Sequence, residues 1–501
     1  MKNHLVYYNW PLRPHNFAVV LDQMDEALSA GDKVFVLYCD GGMHPCRTNR
    51  LCNDSICAAC QFSLKQTMKS YGDRVELIPI SAVRGDAKTI EVGDLDDILN
   101  LTYRGVEVGY GAMSSYISWT RNLEPLSGGE EEEYVARMVQ NQVALTDIAY
   151  DLLVEKEIDD VIVFNSRFAD VRPIVEVAKR LGVRRTVLEM VGDGDGRFKK
   201  VTFADSDPHS VEGATDRVRR VWRERGEGDP RRTDTSEEFY RRRRAGELVA
   251  DVKIHADRQK QGRMPCGWDD AAKNIVVFVS SEDEFAAIGS DFRRYSLFRS
   301  QEEGIRFIAE HTQGEDVDLY VRIHPNLRGI EYGYHRRLVL LQDEYDHVTV
   351  VPALSEVSTY ALVDSADLVV VFGSSVGAEA AYVGKPVILL SGCFYYNLDI
   401  THNPTSKQEL AEMLDAPPAP KSREGALKYG YFLMNLANSA DDIASELHYA
   451  TVPVLNSTLI LHDKMRLLGS KALYRLGVWS MEALARKRGT NTYDKIPDRG
   501  L

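Results

Sequence analysis

No stretch of this 501-residue chain approaches the roughly 20 consecutive apolar residues that a bilayer-spanning helix needs. No secretory leader is expected either, since Met1-Lys2-Asn3-His4-Leu5-Val6-Tyr7-Tyr8 runs straight into a strand-like segment. Nor is there an excess of positive charge. A formal net charge of −14 argues against general nucleic-acid binding, while leaving room for a small anion site that needs only local positive potential. No internal repeat is visible beyond a recurring strand–helix rhythm. What remains is an ordinary globular composition, 44% hydrophobic and 27% charged, on a chain long enough for two or three domains. The expected location is cytoplasmic, and the seven cysteines are expected there as thiols or metal ligands rather than disulfides.

The first part of the chain alternates strand and helix: strands at 4–8 and 33–39 flank a helix at 16–28, and strands at 161–164 and 185–189 flank a helix from about Val171. Ser127 and Glu130 suggest a capping box before a helix running to Val154. This alternation implies a parallel sheet covered on both faces. The expected domains are 1–230, with a Cys-rich loop at 39–60; a helical connection at 231–270; a second strand–helix domain at 271–450; and a basic amphipathic tail at 451–501. The arginine run Arg241 to Arg244 in the connection is expected to be a solvated face.

The chemistry concentrates at strand ends of the second domain. Leu319-Tyr320-Val321-Arg322-Ile323 and Leu368-Val369-Val370-Val371-Phe372 read as buried parallel strands. The first leads into Arg322-Ile323-His324-Pro325-Asn326, the second into Gly373-Ser374-Ser375-Val376-Gly377-Ala378-Glu379-Ala380. Open α/β sheets bind ligands at the carboxyl ends of their strands. A helix opening after Ser375 would add N–H groups to two hydroxyls, a setting that suits a nucleotide phosphate. His324 is positioned to donate to that phosphate, Pro325 to stiffen its loop, and Glu379 to accept from ribose or sugar hydroxyls. Ser280 and Ser281, after the strand at 274–279, and Ser355, in the segment 352–360, are further candidate contacts.

The Gly-Ser-Ser-x-Gly-x-Glu-Ala element, followed by Gly384-Lys385-Pro386 and the strand Val387 to Leu390, resembles the donor-binding half of GT-B glycosyltransferases. Among these it is most similar to capsule polysaccharide biosynthesis proteins, including bacterial Kdo-transferases and sialyltransferase-like enzymes with a His-Pro and a Ser-rich motif. The resemblance covers roughly residues 270–409. It implies an α/β GT-B fold of two Rossmann-like domains with a central cleft, a nucleotide-sugar donor held by the second domain, and a glycan or lipid-linked glycan acceptor. One position departs from the pattern of many retaining members, which carry glutamates eight residues apart: the residue eight before Glu379 is Val371. The same resemblance assigns any general base to the first domain, where Asp40, before Gly41-Gly42, and Glu189, ending Thr186-Val187-Leu188-Glu189, are the candidates. A nucleotide-sugar 2-epimerase, a polyol-phosphate transferase and a non-catalytic nucleotide-binding protein stand as alternatives on the same fold.

Two features lie outside that scheme. Cys46, Cys52, Cys57 and Cys60 form a C-x5-C-x4-C-x2-C cluster, with Cys39 and His44 just before it. Four thiolates at short spacing satisfy tetrahedral zinc, so a structural zinc site is expected, with an iron–sulfur cluster as the alternative. Asp193 and Asp195 sit in a Gly-rich loop that reads either as a metal loop or as a turn. The tail from Leu459 interleaves Lys and Arg with Leu, Val and Trp. It suits either an anionic membrane surface, at the inner face of the cell membrane, or a terminal helix packed back on the protein.

Overall fold

The computed structural model describes residues 1–50, 52–85, 88–192, 198–247, 249, 259–314, 316–436 and 441–442. The basic tail and the loop carrying Asp193 and Asp195 lie outside the described residues. Contacts divide the chain into two units, one built chiefly on residues 1–208 and the other on residues 209–286 and 290–439.

The first unit holds a seven-stranded sheet: β1 (Asn3–Tyr7), β2 (Lys33–Tyr38), β3 (Val75–Pro79), β4 (Asp160–Phe164), β5 (Arg184–Gly192), β6 (Phe198–Ala204) and, far along the chain, two residues at Asp441–Asp442. Its spatial order places β3-β2-β1-β4-β5 in parallel, with β6 antiparallel on β5. Strand β6 was not expected, because Phe198-Lys-Lys-Val-Thr-Phe-Ala204 carries charge in its middle. Lys200 is nonetheless fully buried: its ammonium lies 2.7 Å from Asp22 and 2.5 Å from Glu26, both on the Pro14–Ser29 helix. The helix expected after Ser127 spans Glu130–Glu155, but its cap is Gly129, with no side-chain cap bond. Glu131 instead reaches back to the Leu126 N–H at 2.8 Å, which replaces the expected capping box.

The second unit holds a five-stranded, wholly parallel sheet of β7 (Lys273–Phe278), β8 (Val317–Arg322), β9 (Val348–Val351), β10 (Leu368–Val371) and β11 (Val387–Leu389). Its order is β11-β10-β7-β8-β9. Successive residues of each strand go to opposite cores: Val276 and Phe278 to one, Ile275, Val277 and Val279 to the other. Burial on both faces is why these strands are continuous apolar runs rather than alternating ones. Both units therefore have the Rossmann-like order, with a switch point between β1 and β4 in one and β7 and β10 in the other. The α/β expectation of two such domains holds.

Helix Val211–Val221, which falls within the expected first domain of 1–230, and helix Arg232–Arg244, which falls within the expected connection of 231–270, are both grouped by their contacts with the second unit. Phe239 and Tyr240 are buried in its core, and the Tyr240 hydroxyl donates to the Ala426 carbonyl at 2.6 Å, against the Glu424–Met434 helix.

Candidate functional site

In the second unit, a cavity of about 70 Å³ opens at the carboxyl ends of β7, β8 and β10. This is the switch-point position at which open α/β sheets take ligands. Six of the expected residues line it: Arg322, His324, Pro325, Ser374, Ser375 and Glu379.

Arg322 ends β8 and is 3% exposed. Its guanidinium donates to the carbonyls of Pro352 at 3.0 Å and Ser355 at 3.4 Å, while its Nε has no partner. No carboxylate pairs with it among the described residues. Burial alone pulls its pKa down to about 10. A buried cation balanced only by carbonyl dipoles is costly, and the cost falls when an anion enters beside it.

His324 caps the short turn Pro325–Leu327. Its Nδ1 accepts the Asn326 N–H at 3.1 Å and lies 3.2 Å from the Ser281 hydroxyl. An acceptor Nδ1 places the proton of the neutral ring on Nε2, which makes His324 a donor. Ser281, expected as a ligand contact, is thus placed against this histidine and is not among the residues that line the cavity.

After Phe372 the backbone turns through Gly373 at φ 85°, a left-handed conformation, where an added Cβ would stand 3.0 Å from the Gly392 carbonyl. The turn delivers Ser374 and Ser375, and neither hydroxyl has a hydrogen-bond partner among the described residues. The helix that follows is short, Val376–Tyr382, and the N–H groups of Gly377 and Ala378 already bond to Ser374 and Ser375 carbonyls at 3.1 Å. The expected cradle of open helical N–H groups is therefore reduced. The hydroxyls and the Arg322 cation stand in its place.

Glu379 was expected to face a sugar. It is buried, with one oxygen accepting from the Tyr360 hydroxyl at 2.6 Å and the other 3.4 Å from the Arg243 guanidinium. Burial, reinforced by Glu379, pushes the Tyr360 hydroxyl far above its usual range, so it remains a donor. Arg243 comes from the run expected to be a solvated face. Its neighbours do pair with surface acids: Arg241 with Glu238, Arg242 with Glu247 and Arg244 with Asp364. Helical periodicity separates them, since Arg243 falls on the buried stripe of Ser236, Phe239 and Tyr240. That spacing was the available signal.

Other expected contacts have different work. Ser280 is tied to Gln301, its N–H donating at 2.9 Å and its hydroxyl accepting at 3.1 Å, beside a separate cavity of about 50 Å³. The Asn326 amide donates to Glu284 at 3.2 Å. The Ser355 hydroxyl accepts the Val357 N–H at 3.2 Å, leaving its carbonyl for Arg322. Gly377 is a packing position: a Cβ there would stand 2.5 Å from the Tyr395 hydroxyl.

In the first unit, Glu189 lies on β5, where one oxygen accepts from the Asn165 amide at 2.6 Å. Asn165 follows β4 at φ 62°, and its own carbonyl oxygen accepts the N–H groups of Ser166 and Arg167 at 2.9 and 3.0 Å. That fixes which end of the amide meets Glu189. Burial raises the Glu189 pKa to about 7, the range in which a general base works best. Asp40 instead holds Ser81, through its N–H at 3.2 Å and its hydroxyl, at the start of the Ile80–Val83 turn of helix.

Cys46, Cys57 and Cys60 line one small cavity in the first unit, and Cys39 joins them there. Cys52 is absent from that lining. Its backbone is left-handed at φ 51°, and its thiol meets Arg137. Among the described residues, no three His, Cys, Asp or Glu side chains converge to hold a single metal ion. No helix among those residues is long and apolar enough to cross a membrane.

The chain matches no protein-family model and no curated protein. Among solved structures it is similar to a KpsC β-Kdo 2,4 transferase from Thermosulfurimonas dismutans, at 18% identity over 55% of this chain and 79% of that one, with a TM-score of 0.34. A UDP-N-acetylglucosamine 2-epimerase described as putative, from Listeria monocytogenes, matches at 9% identity over 91% and 96% of the two chains, with a TM-score of 0.25. The glycosyltransferase SsfS6 of Streptomyces sp. SF2575, complexed with thymidine diphosphate, matches at 11% over 90% and 100%, with a TM-score of 0.22. At these scores the similarities carry no weight for function.

Proposed function

We propose that the chain is a nucleotide-sugar-dependent glycosyltransferase of the GT-B class, acting on a surface or capsular glycan or its lipid-linked precursor. The observation that carries this is Arg322, a buried cation without an anionic partner, opening on a cavity bounded by His324 and by the unpartnered hydroxyls of Ser374 and Ser375. The donor's phosphates occupy that cavity. Glycosyl transfer builds negative charge on the departing phosphate, and Arg322, the His324 Nε2 proton and the two serines supply fixed positive charge and donors where it develops. Glu379 and Arg243 balance each other, which leaves the charge of Arg322 for the ligand. On the acceptor side, Glu189 takes the proton of the attacking hydroxyl, and its raised pKa suits that step.

Titration with CMP, UDP and GDP and their sugars tests the donor half. One of them raises the melting temperature; if none does, the phosphate site is wrong. Product analysis tests the transfer half. A new nucleotide sugar formed without any acceptor would mark an epimerase and sink the transferase reading.

A further inference from the structure

The first unit contains a thiol cavity that the proposed transfer reaction does not use. Cys39 directly follows β2, Cys46 lies in the loop beyond it, and Cys57 and Cys60 sit three residues apart on one face of the Asp54–Met68 helix. All four border a cavity of about 20 Å³ at the carboxyl ends of β1 and β2. The space exceeds that of a single water. The four cysteine side chains thus border one void, and no three of them converge on a single-ion site.

Three of the four sulfurs accept hydrogen bonds, and the fourth, Cys60, turns its thiol to the Asn9 carbonyl at 4.0 Å. Asn49, 1% exposed, donates its backbone N–H to the Cys46 sulfur at 3.2 Å. Its side-chain amide donates to the Cys57 sulfur at 3.1 Å and to the Asn53 carbonyl at 2.8 Å. The Asn53 N–H returns to the Asn49 Oδ1 at 2.8 Å, so the amide cannot flip without losing bonds. The Gly41 N–H donates to the Cys39 sulfur at 3.4 Å. Such N–H···S bonds stabilise negative sulfur, the form in which cysteine binds metal.

We propose that Cys39, Cys46, Cys57 and Cys60 hold an iron–sulfur cluster, with Asn49 hydrogen-bonding two of its ligand sulfurs and Cys52 taking no part. Four cysteines around a space larger than one ion match the ligand number of such clusters. Each thiol gives up its proton to solvent on ligation, while iron and sulfide enter as preformed inorganic components. The ligand set differs from the one that spacing suggested, because Cys52 is turned to Arg137.

The test is anaerobic purification of the full chain, followed by iron, zinc and acid-labile sulfide analysis and a visible spectrum. Equimolar iron and sulfide with a broad visible band are expected. Cys39→Ser and Cys57→Ser lose the band and the iron, whereas Cys52→Ser keeps both within twofold. Folding of each variant is checked by circular dichroism. Should the serine variants unfold, alkylation of the wild-type chain decides: Cys52 and the exposed Cys266 react at once, and the four ligands only after the cluster is stripped. Zinc without sulfide, metal-free protein after reconstitution, or loss of iron in Cys52→Ser with retention in Cys39→Ser would each overturn the proposal.

Discussion

Arg322→Met separates what this residue costs the fold from what it gives a ligand. At neutral pH the guanidinium is charged in both folded and unfolded chains, but burial brings its folded pKa from 12.5 down to about 10. The difference, 12.5 − 10 = 2.5, amounts at about 1.36 kcal/mol per pH unit to roughly 3 kcal/mol against folding. That cost is fully present below pH 10 and is relieved as pH rises beyond it. Opposing it are the bonds to the Pro352 and Ser355 carbonyls, the first worth about 1.5–3 kcal/mol and the longer one less. Methionine removes both contributions and fills much of the same volume. The ligand-free variant is thus expected to melt within roughly 5 °C of the wild type. Its affinity for the nucleotide that most stabilises the wild type falls by about 1.5–3 kcal/mol, roughly ten- to a hundredfold. Scanning fluorimetry and isothermal titration measure the two quantities on one preparation. Unchanged affinity would refute the phosphate site, and a fall in melting temperature beyond about 10 °C without ligand would make Arg322 a structural tie.

Four further outcomes follow from the geometry. His324→Ala and the double variant Ser374→Ala with Ser375→Ala each weaken nucleotide binding by about 1.5–3 kcal/mol without unfolding the chain, as titration calorimetry and circular dichroism will show. Glu189→Gln leaves nucleotide affinity intact and lowers turnover by at least ~100-fold; wild-type turnover rises with pH through about 7, as the base deprotonates, in a steady-state pH profile. The same group holds its proton more tightly when folded, so stability is lost as pH rises from 4.5 through about 7, and Glu189→Gln melts higher than the wild type at pH 8 but not at pH 4. Gly377→Ala drives a Cβ to within 2.5 Å of the Tyr395 hydroxyl and 2.8 Å of Val371, so it destabilises by about 1–3 kcal/mol in a denaturant titration.

The parts of this architecture that were legible in the sequence are those in which burial is two-sided. Leu319 to Ile323 and Leu368 to Phe372 announce themselves because both faces of each strand are covered, and their ends then locate Arg322, His324 and the serine pair. Strand β6 is silent because Lys200, its most buried side chain, is a charge neutralised by two acids far away in sequence. Arg243 was hidden by its neighbours: a run of four arginines looks uniform until helical phase assigns one of them inward. The cysteines show the limit of spacing. Cys52 falls inside the cluster along the chain, yet a left-handed backbone turns it out, while Cys39, outside the cluster, is brought in by the end of β2.

The pairing of the Arg232–Arg244 helix with the Glu424–Met434 helix bears on the order in which the second unit becomes competent. One helix precedes every strand of its sheet, and the other follows them all. Gly430 packs so closely that a Cβ there would stand 2.8 Å from both the Ser236 carbonyl and the Tyr240 ring. On a chain leaving the ribosome, the helix carrying Arg243 waits nearly two hundred residues for its packing partner. Until that partner emerges, the helix that brings Arg243 to Glu379 lacks the surface on which its Tyr240 packs. The cavity lined by Arg243, Arg322 and Glu379 is therefore completed only after the last strand of the unit, and a chain ended before Glu424 lacks the helix that holds the Tyr240 hydroxyl.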